Sequence, residues 1–94
     1  MGTSVTENRE QHRFEIRVDG ALAGFATFRL DGGTVTFPHT EIEDRFGGQG
    51  LGSTLVRAAL DDARDRGWTV VAQCPFVGRF IEDNPEYQDL VAGF

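Results

Sequence analysis

The sequence predicts an α+β domain in the order β-β-β-α-β-α: an antiparallel three-stranded meander, a helix, a fourth strand and a second helix. Three observations carry this reading. Apolar and polar residues alternate from Arg13, and the alternation is broken by Asp19-Gly20 and by Asp31-Gly32-Gly33. Residues Leu51 to Ala63 carry apolar side chains at helical spacing. Directly after Gly67 comes a short valine-rich stretch, Trp68 to Gln73.

Taken in order, Met1 to Gln11 is polar and lacks periodicity, so it reads as a frayed tail preceding one domain over residues 12–94. From Arg13, the residues Phe14, Ile16 and Val18 share one face, and Arg13, Glu15 and Arg17 the other, as in a half-buried strand. Asp19-Gly20 is a two-residue hairpin signal. A second strand is expected over Ala21–Leu30, with Leu22, Phe28 and Leu30 on one face, and a third over Thr34–Thr40, interrupted by Pro38. In the helix, Leu55, Val56, Ala59, Leu60 and Ala63 form the buried stripe. Arg57–Asp61 and Asp62–Arg66 are i, i+4 pairs on a solvated face, and Gly67 is a C′ stop. Trp68–Gln73 reads as a strand covered on both sides. Pro75 suits the first turn of a new helix, on which Phe76, Val77, Phe80 and Ile81 share a face. Asn84-Pro85 ends it, and Glu86–Phe94 is a tail that folds back through Tyr87 and Leu90.

The chemistry concentrates in Arg45-Phe46-Gly47-Gly48-Gln49-Gly50-Leu51-Gly52-Ser53, a glycine-rich turn that runs straight into the first helix. A backbone without side chains can approach a ligand closely. The free N–H groups of the helix's first turn then face the loop, a geometry that binds phosphate and pyrophosphate. A Walker loop needs a lysine after its last glycine, and this chain has Ser53 there and no lysine anywhere. A dinucleotide fingerprint needs a different glycine spacing and a second parallel strand ending in an acidic residue. Both nucleotide readings fail. Ser53 either caps the first turn or gives a hydroxyl to phosphate.

Gly47 to Ser53 resembles the pyrophosphate loop of the GNAT superfamily of acyl-CoA N-acyltransferases, Arg/Gln-x-x-Gly-x-Gly/Ala, except that Gly47 stands where the family usually has Arg or Gln. His39-Thr40-Glu41, Cys74-Pro75 and Asn84-Pro85-Glu86-Tyr87 extend the likeness to a small single-domain branch, sometimes called the YjdJ type, over about Phe37 to Val91. The resemblance implies a minimal GNAT-like fold with acetyl-CoA as cofactor. It implies a pyrophosphate at Gly47, Gly48, Gln49, Gly50, Leu51, Gly52 and Ser53, with Arg45 nearby and pantetheine along the third strand through Thr40. It also implies a strand bulge near Phe37 to Thr40, whose free N–H faces the thioester carbonyl, and a Cys74 close to the acetyl end.

Four residues are candidates for catalysis. His39 is the one histidine near the loop and a natural base at neutral pH, with Glu41 two residues on along a strand to orient it. The alternative for both is ordinary surface hydrogen bonding. Cys74 stands where strand becomes helix, where a helix dipole lowers a thiol pKa. Its alternatives are an acetylated intermediate, a proton carrier, a pocket wall or a small core residue. Tyr87 or Cys74 would return a proton to the departing CoA thiolate. Two distant histidines and one cysteine make no metal site.

Composition bounds the rest. A chain of 94 residues with net charge −6 is one domain and has no basic stripe for nucleic acid. It suits a cationic acceptor, a small amine or a basic peptide. One cysteine suggests a reducing, cytoplasmic setting, and no apolar run approaches the roughly 18 residues of a membrane span. Met1-Gly2-Thr3-Ser4-Val5-Thr6 matches a myristoylation pattern but has no basic cluster beside it. With eight phenylalanines the core is real yet thin, which suits a monomer or weak homodimer. The function expected is an acetyl-CoA-dependent N-acetyltransferase. The alternatives are an acyl-CoA-binding or sensing module without turnover and a phosphate-binding interaction domain unrelated to CoA.

Overall fold

Asp19 and Gly20 both adopt positive φ, +49° and +87°, the turn that matches the twist of an antiparallel hairpin. They join β2 (Arg13–Val18) to β3 (Ala21–Thr27) in the computed structural model, which describes residues 2–91. The remaining elements are β1 (Thr3–Asn8), β4 (Arg29–Asp31), β5 (Thr34–Thr36), β6 (Thr40–Ile42), α1 (Leu51–Asp65), β7 (Thr69–Val71) and α2 (Pro75–Asp83). Short 3-10 helices cover Asp44–Phe46 and Pro85–Leu90. The class is α+β, as the sequence indicates.

The N-terminal tail is a correction. Thr3–Asn8 pairs antiparallel with β2 along its whole length, Val5 opposite Ile16. Gly2 closes the end by hydrogen-bonding Asp19 through N–H to Oδ1 at 2.7 Å and accepting from the Asp19 N–H at 2.8 Å. This strand lies on the sheet's outer edge, where only Val5 packs against the core, so it lacks the alternation that marks β2. Met1 and the last three residues of the expected C-terminal tail lie outside the described residues.

Both long strands of the expected meander break. The first stops at Thr27 and resumes as β4, and the second stops at Thr36 and resumes as β6. The halves then change partners: the sheets run β1-β2-β3-β6 and β4-β5-β7. A β-bulge opposite Ile16/Arg17 shifts the register of β3, so Ala23, Ala26 and Phe28 are buried while Leu22 is half-buried and Leu30 exposed. The shared face expected for Leu22, Phe28 and Leu30 does not form.

Both helices pack on one face of the sheet. Phe14, Ile16, Ala26, Val35, Phe37 and Val70 meet Leu55, Val56, Ala59 and Leu60 of α1 and Val77 and Ile81 of α2. Helix α1 ends as its glycine requires, with Trp68 N–H bonding Ala63 carbonyl at 2.9 Å and Gly67 N–H bonding Arg64 carbonyl at 3.1 Å. Its outer face does more than meet solvent: Arg64 grips Asp89, and Arg57 and Asp61 hold the Pro85–Leu90 turn. Of the two expected i, i+4 pairs only Asp62–Arg66 forms, at 3.1 Å.

Among the described residues the other face carries no helix, and there β7 departs from expectation. Val71 is 43% exposed, so this strand is covered on one side only. Glu15 on the same face is nonetheless buried, held by Arg13 at 2.7 Å, Arg17 at 3.0 Å and Asn8 at 3.1 Å. Burial pushes its pKa up, but these bonds outweigh it and hold the carboxyl below its ordinary value of 4.5. A depressed carboxyl stabilises the fold above the unfolded pKa, and that contribution is lost as pH falls through the folded pKa. Glu15→Gln is therefore expected to cost about 1–3 kcal/mol at pH 7. Denaturation followed from pH 6 to pH 3 should show a flatter acid loss in the variant than in the native chain. Among the described residues, no helix is long and apolar enough to cross a membrane.

Candidate active site

The change of partners between β5 and β6 opens the sheet. β5 runs parallel to β7, Val35 opposite Val70, and the pairing continues through Phe37 N–H to Val71 carbonyl at 3.0 Å and Cys74 N–H to Phe37 carbonyl at 2.8 Å. Beyond that point the two chains part. β6 turns to β3 instead, with Thr27 N–H on His39 carbonyl and Glu43 N–H on Ala23 carbonyl, both at 2.8 Å. In an antiparallel ladder the alternate residues face away. The N–H groups of Thr40 and Ile42 therefore point off the free edge of β6, into the split. Where a bulge is expected near Phe37 to Thr40, the strand is interrupted at Phe37-Pro38-His39, where proline has no N–H to give to a ladder.

A cleft of about 340 Å³ continues this split, running past Ile42 and Phe46 to the glycine loop and the start of α1. Gly50 is the N-cap, at φ +71°, and no side chain caps the helix. The first bond along α1 is from Thr54 N–H to Gly50 carbonyl at 3.2 Å, so the N–H groups of Leu51, Gly52 and Ser53 are left for the cleft. Ser53 is the third helical residue and not the cap. Thr40, Gly47, Gly48, Gly50, Leu51, Gly52 and Ser53 all line the cleft. Arg45 and Gln49 do not: Arg45 turns to Glu43 at 3.2 Å and stacks on Phe46. Among the described residues no cationic side chain lines this cleft, so an anion there meets backbone amides and the hydroxyls of Thr40 and Ser53.

Phe76 lines the cleft too, over Gly52, and is 44% exposed. It does not share the buried face of Val77, Phe80 and Ile81. The sequence signal was present, since Val77, Phe80 and Ile81 alone follow i, i+3, i+4 spacing.

Cys74 sits at the apex of the split as N-cap of α2, 6% exposed, its Sγ donating to Thr40 Oγ1 at 3.7 Å. Burial pushes the thiol pKa up, yet the Val77 amide, the Thr40 hydroxyl, and the amides of Phe76 and Thr40 outweigh it and hold the thiol below its ordinary value.

His39 and Glu41 lie on the opposite, helix-free face, because neighbours along a strand alternate. His39 Nε2 is 3.2 Å from Glu41 Oε1, both are exposed, and the imidazole lies against Phe25. Tyr87 is not brought into the cleft. Its hydroxyl donates to Asp61 Oδ1 at 2.6 Å and accepts from Arg57 Nη1 at 3.3 Å. Burial and Asp61 push the phenol pKa up and keep it protonated.

Residues 13–90 match the family model of the GCN5-related N-acetyl-transferase. The chain belongs to that family. Protein NATD1 of Xenopus tropicalis is 26% identical over 83 residues, which cover 86% of this chain and 76% of that one. A GCN5-like protein of Staphylococcus aureus superposes with a TM-score of 0.74 at 27% identity, covering 97% of this chain and 89% of its own. yncA of Salmonella typhimurium, solved with its cofactor acetyl-CoA, gives a TM-score of 0.58 at 26% identity over 76% of this chain and 47% of its own.

This member of the GCN5-related family is thus an N-acetyltransferase, and acetyl-CoA is its cofactor. The donor set fits that molecule. Three first-turn amides suit a pyrophosphate, and the outward amides of Thr40 and Ile42 suit an extended arm carrying amides of its own.

Proposed function

We propose that the protein acetylates an amine, either a small amine or the lysine or N-terminus of a basic peptide, in the cytoplasm as a monomer or weak homodimer. The split between β6 and β7, with Cys74 at its apex and the glycine loop at its mouth, is the observation that carries this reading. Acetyl-CoA supplies an acetyl group activated as a thioester. Leu51, Gly52 and Ser53 amides hold its anionic end, and the Ile42 amide aligns the arm. The Thr40 N–H, aimed at the apex, is the candidate oxyanion donor.

His39 stands on the far side of the same strand interruption and takes a proton from the incoming amine at Nδ1 or through water, while Glu41 holds Nε2. The acceptor then arrives from the helix-free face and does not compete with the cofactor for space. Cys74, with its pKa lowered, holds the proton at Sγ that neutralises the leaving thiolate. It is better placed than Tyr87, whose hydroxyl is committed to Asp61. The net charge of −6 favours cationic acceptors.

The test pairs binding with turnover. At 100 times its dissociation constant, acetyl-CoA adds about 2.7 kcal/mol to the folded state. That raises the thermal midpoint of so small a domain by roughly 10 °C or more. ADP should not reproduce the shift. His39→Ala should keep it while slowing CoA release with amines by about 100-fold. No shift with acetyl-CoA would remove the cofactor site, and full turnover by His39→Ala would remove the base.

A further inference from the structure

At the other end of α1, a second cleft of about 620 Å³ shares no residue with the acetyl-CoA cleft. Its walls are apolar and partly aromatic: Phe28, Leu30, Pro38 and Trp68. Leu30 is 44% exposed there, and His12 stands edge-on to Phe28, with ring centroids 6.1 Å apart. His12 itself holds a left-handed backbone, φ +53°, unusual for a residue with a side chain. The turn that holds it is pinned by Gln11 N–H on Asn8 Oδ1 at 3.1 Å and by Phe28 N–H on His12 carbonyl at 2.8 Å.

The charges are the opposite of the molecule's. Arg9, Arg29 and Arg66 line this cleft against one carboxylate, Glu7, in a chain of net charge −6. Glu7 acts as a brace. One of its oxygens holds Arg66 at 2.6 Å and the other holds Arg9 at 3.3 Å. Arg66 is further fixed by Asp62 at 3.1 Å and lies over the Trp68 ring, 4.8 Å from its centroid. Among the described residues, Arg29 has no ion pair. One cation is thus uncommitted beside an aromatic wall, which leaves room for one negative charge and not two.

We propose that this cleft is a second ligand site, specific for a small aromatic carboxylate. The ring lies against Phe28 and Trp68, and the carboxylate takes the guanidinium fork of Arg29. A volume of this size falls within the range of small-molecule sites. The site is independent of the acetyl transfer assigned above.

Trp68 is the one tryptophan of the chain, so its fluorescence reports on this cleft directly. The intact protein is titrated with 3-phenylpropionate, with 3-phenylpropan-1-ol and 3-phenylpropylamine as comparators that keep the ring and change the charge. The acid should give a saturable change and bind at least about tenfold tighter than the alcohol, with the amine weaker still. Arg29→Gln, at an exposed position, should keep the thermal midpoint, weaken the acid by about tenfold and leave the alcohol unchanged. Saturating CoA should not alter the acid's affinity. The proposal is overturned by any of four results. They are no saturable response to the acid, equal affinity for acid and alcohol, undiminished acid affinity in Arg29→Gln, or displacement of the acid by CoA.

Discussion

Gly24→Ala is expected to lower both the stability of the fold and its affinity for acetyl-CoA, although the change adds one methyl group 16 residues before the nearest cleft residue in sequence. Gly24 lies in β3 opposite Ile42 of β6, at a pair whose alternating position brings the two backbones close. A Cβ at residue 24 would meet the Glu41 carbonyl oxygen directly, Ile42 Cδ1 at 2.5 Å and Ile42 Cα at 3.1 Å. The Ile42 side chain can swing aside, but the carbonyl and Cα cannot move unless β6 moves. β6 is a three-residue edge strand whose one ladder is with β3, so displacement is its easiest response. Overpacking of this kind costs about 1–3 kcal/mol. The outward amides of Thr40 and Ile42 move with the strand, and affinity should fall by about tenfold or more, the equivalent of one good hydrogen bond. Chemical denaturation and calorimetric titration of the same sample check the two effects together. A variant that keeps native stability and affinity would show that β6 is not locked against β3 at this point.

Much of this site was legible in the sequence because its parts are local. Asp19-Gly20 fixed a hairpin by its own backbone preference, and Leu55, Val56, Ala59, Leu60 and Ala63 fixed the buried stripe of α1 by spacing. Gly50 and Gly52 marked a helix start open to a ligand for the same local reason. What escaped is long-range. β1 is a strand because β2 offers it an edge, and nothing within Thr3–Asn8 reveals that edge. The exchange of partners at Phe37-Pro38-His39 depends on where β3 and β7 lie, and Pro38 marked only its place. The exchange also decides which face each residue takes. It sets Thr40 with Cys74 in the split and His39 with Glu41 on the bare face behind it, although His39 and Thr40 are neighbours in the chain. Tyr87 illustrates the limit of proximity in a motif. The Asn84-Pro85-Glu86-Tyr87 run does fold back on α1, but Asp61, 26 residues away, is what its hydroxyl meets.

Gly50→Val is expected to separate cofactor binding from folding more sharply than any other change in the loop. Gly50 has nothing within 4 Å of an added Cβ, so the branch point of the new side chain stands in open space. The effect comes through φ, which is +71° at this N-cap. A β-branched residue in the left-handed region costs about 1–2 kcal/mol, and rotating out of it re-aims the peptide planes that follow. Those planes carry the Leu51 and Gly52 N–H groups, and among the described residues no cationic side chain lines the cleft to replace them for an anion. Losing two charge-assisted hydrogen bonds at about 1.5 kcal/mol each corresponds to roughly a 100-fold loss of acetyl-CoA affinity. The rest of α1 still has its buried stripe, so the helix persists and thermal unfolding stays cooperative. Gly50→Asn provides the internal control, because asparagine tolerates the left-handed region and should retain most of the binding that valine loses. Calorimetric titration of both variants with acetyl-CoA gives the answer. If valine binds within twofold of the native chain, the first-turn amides are not the anchor. If asparagine is as damaged as valine, the bare surface of the loop matters and its backbone angle does not.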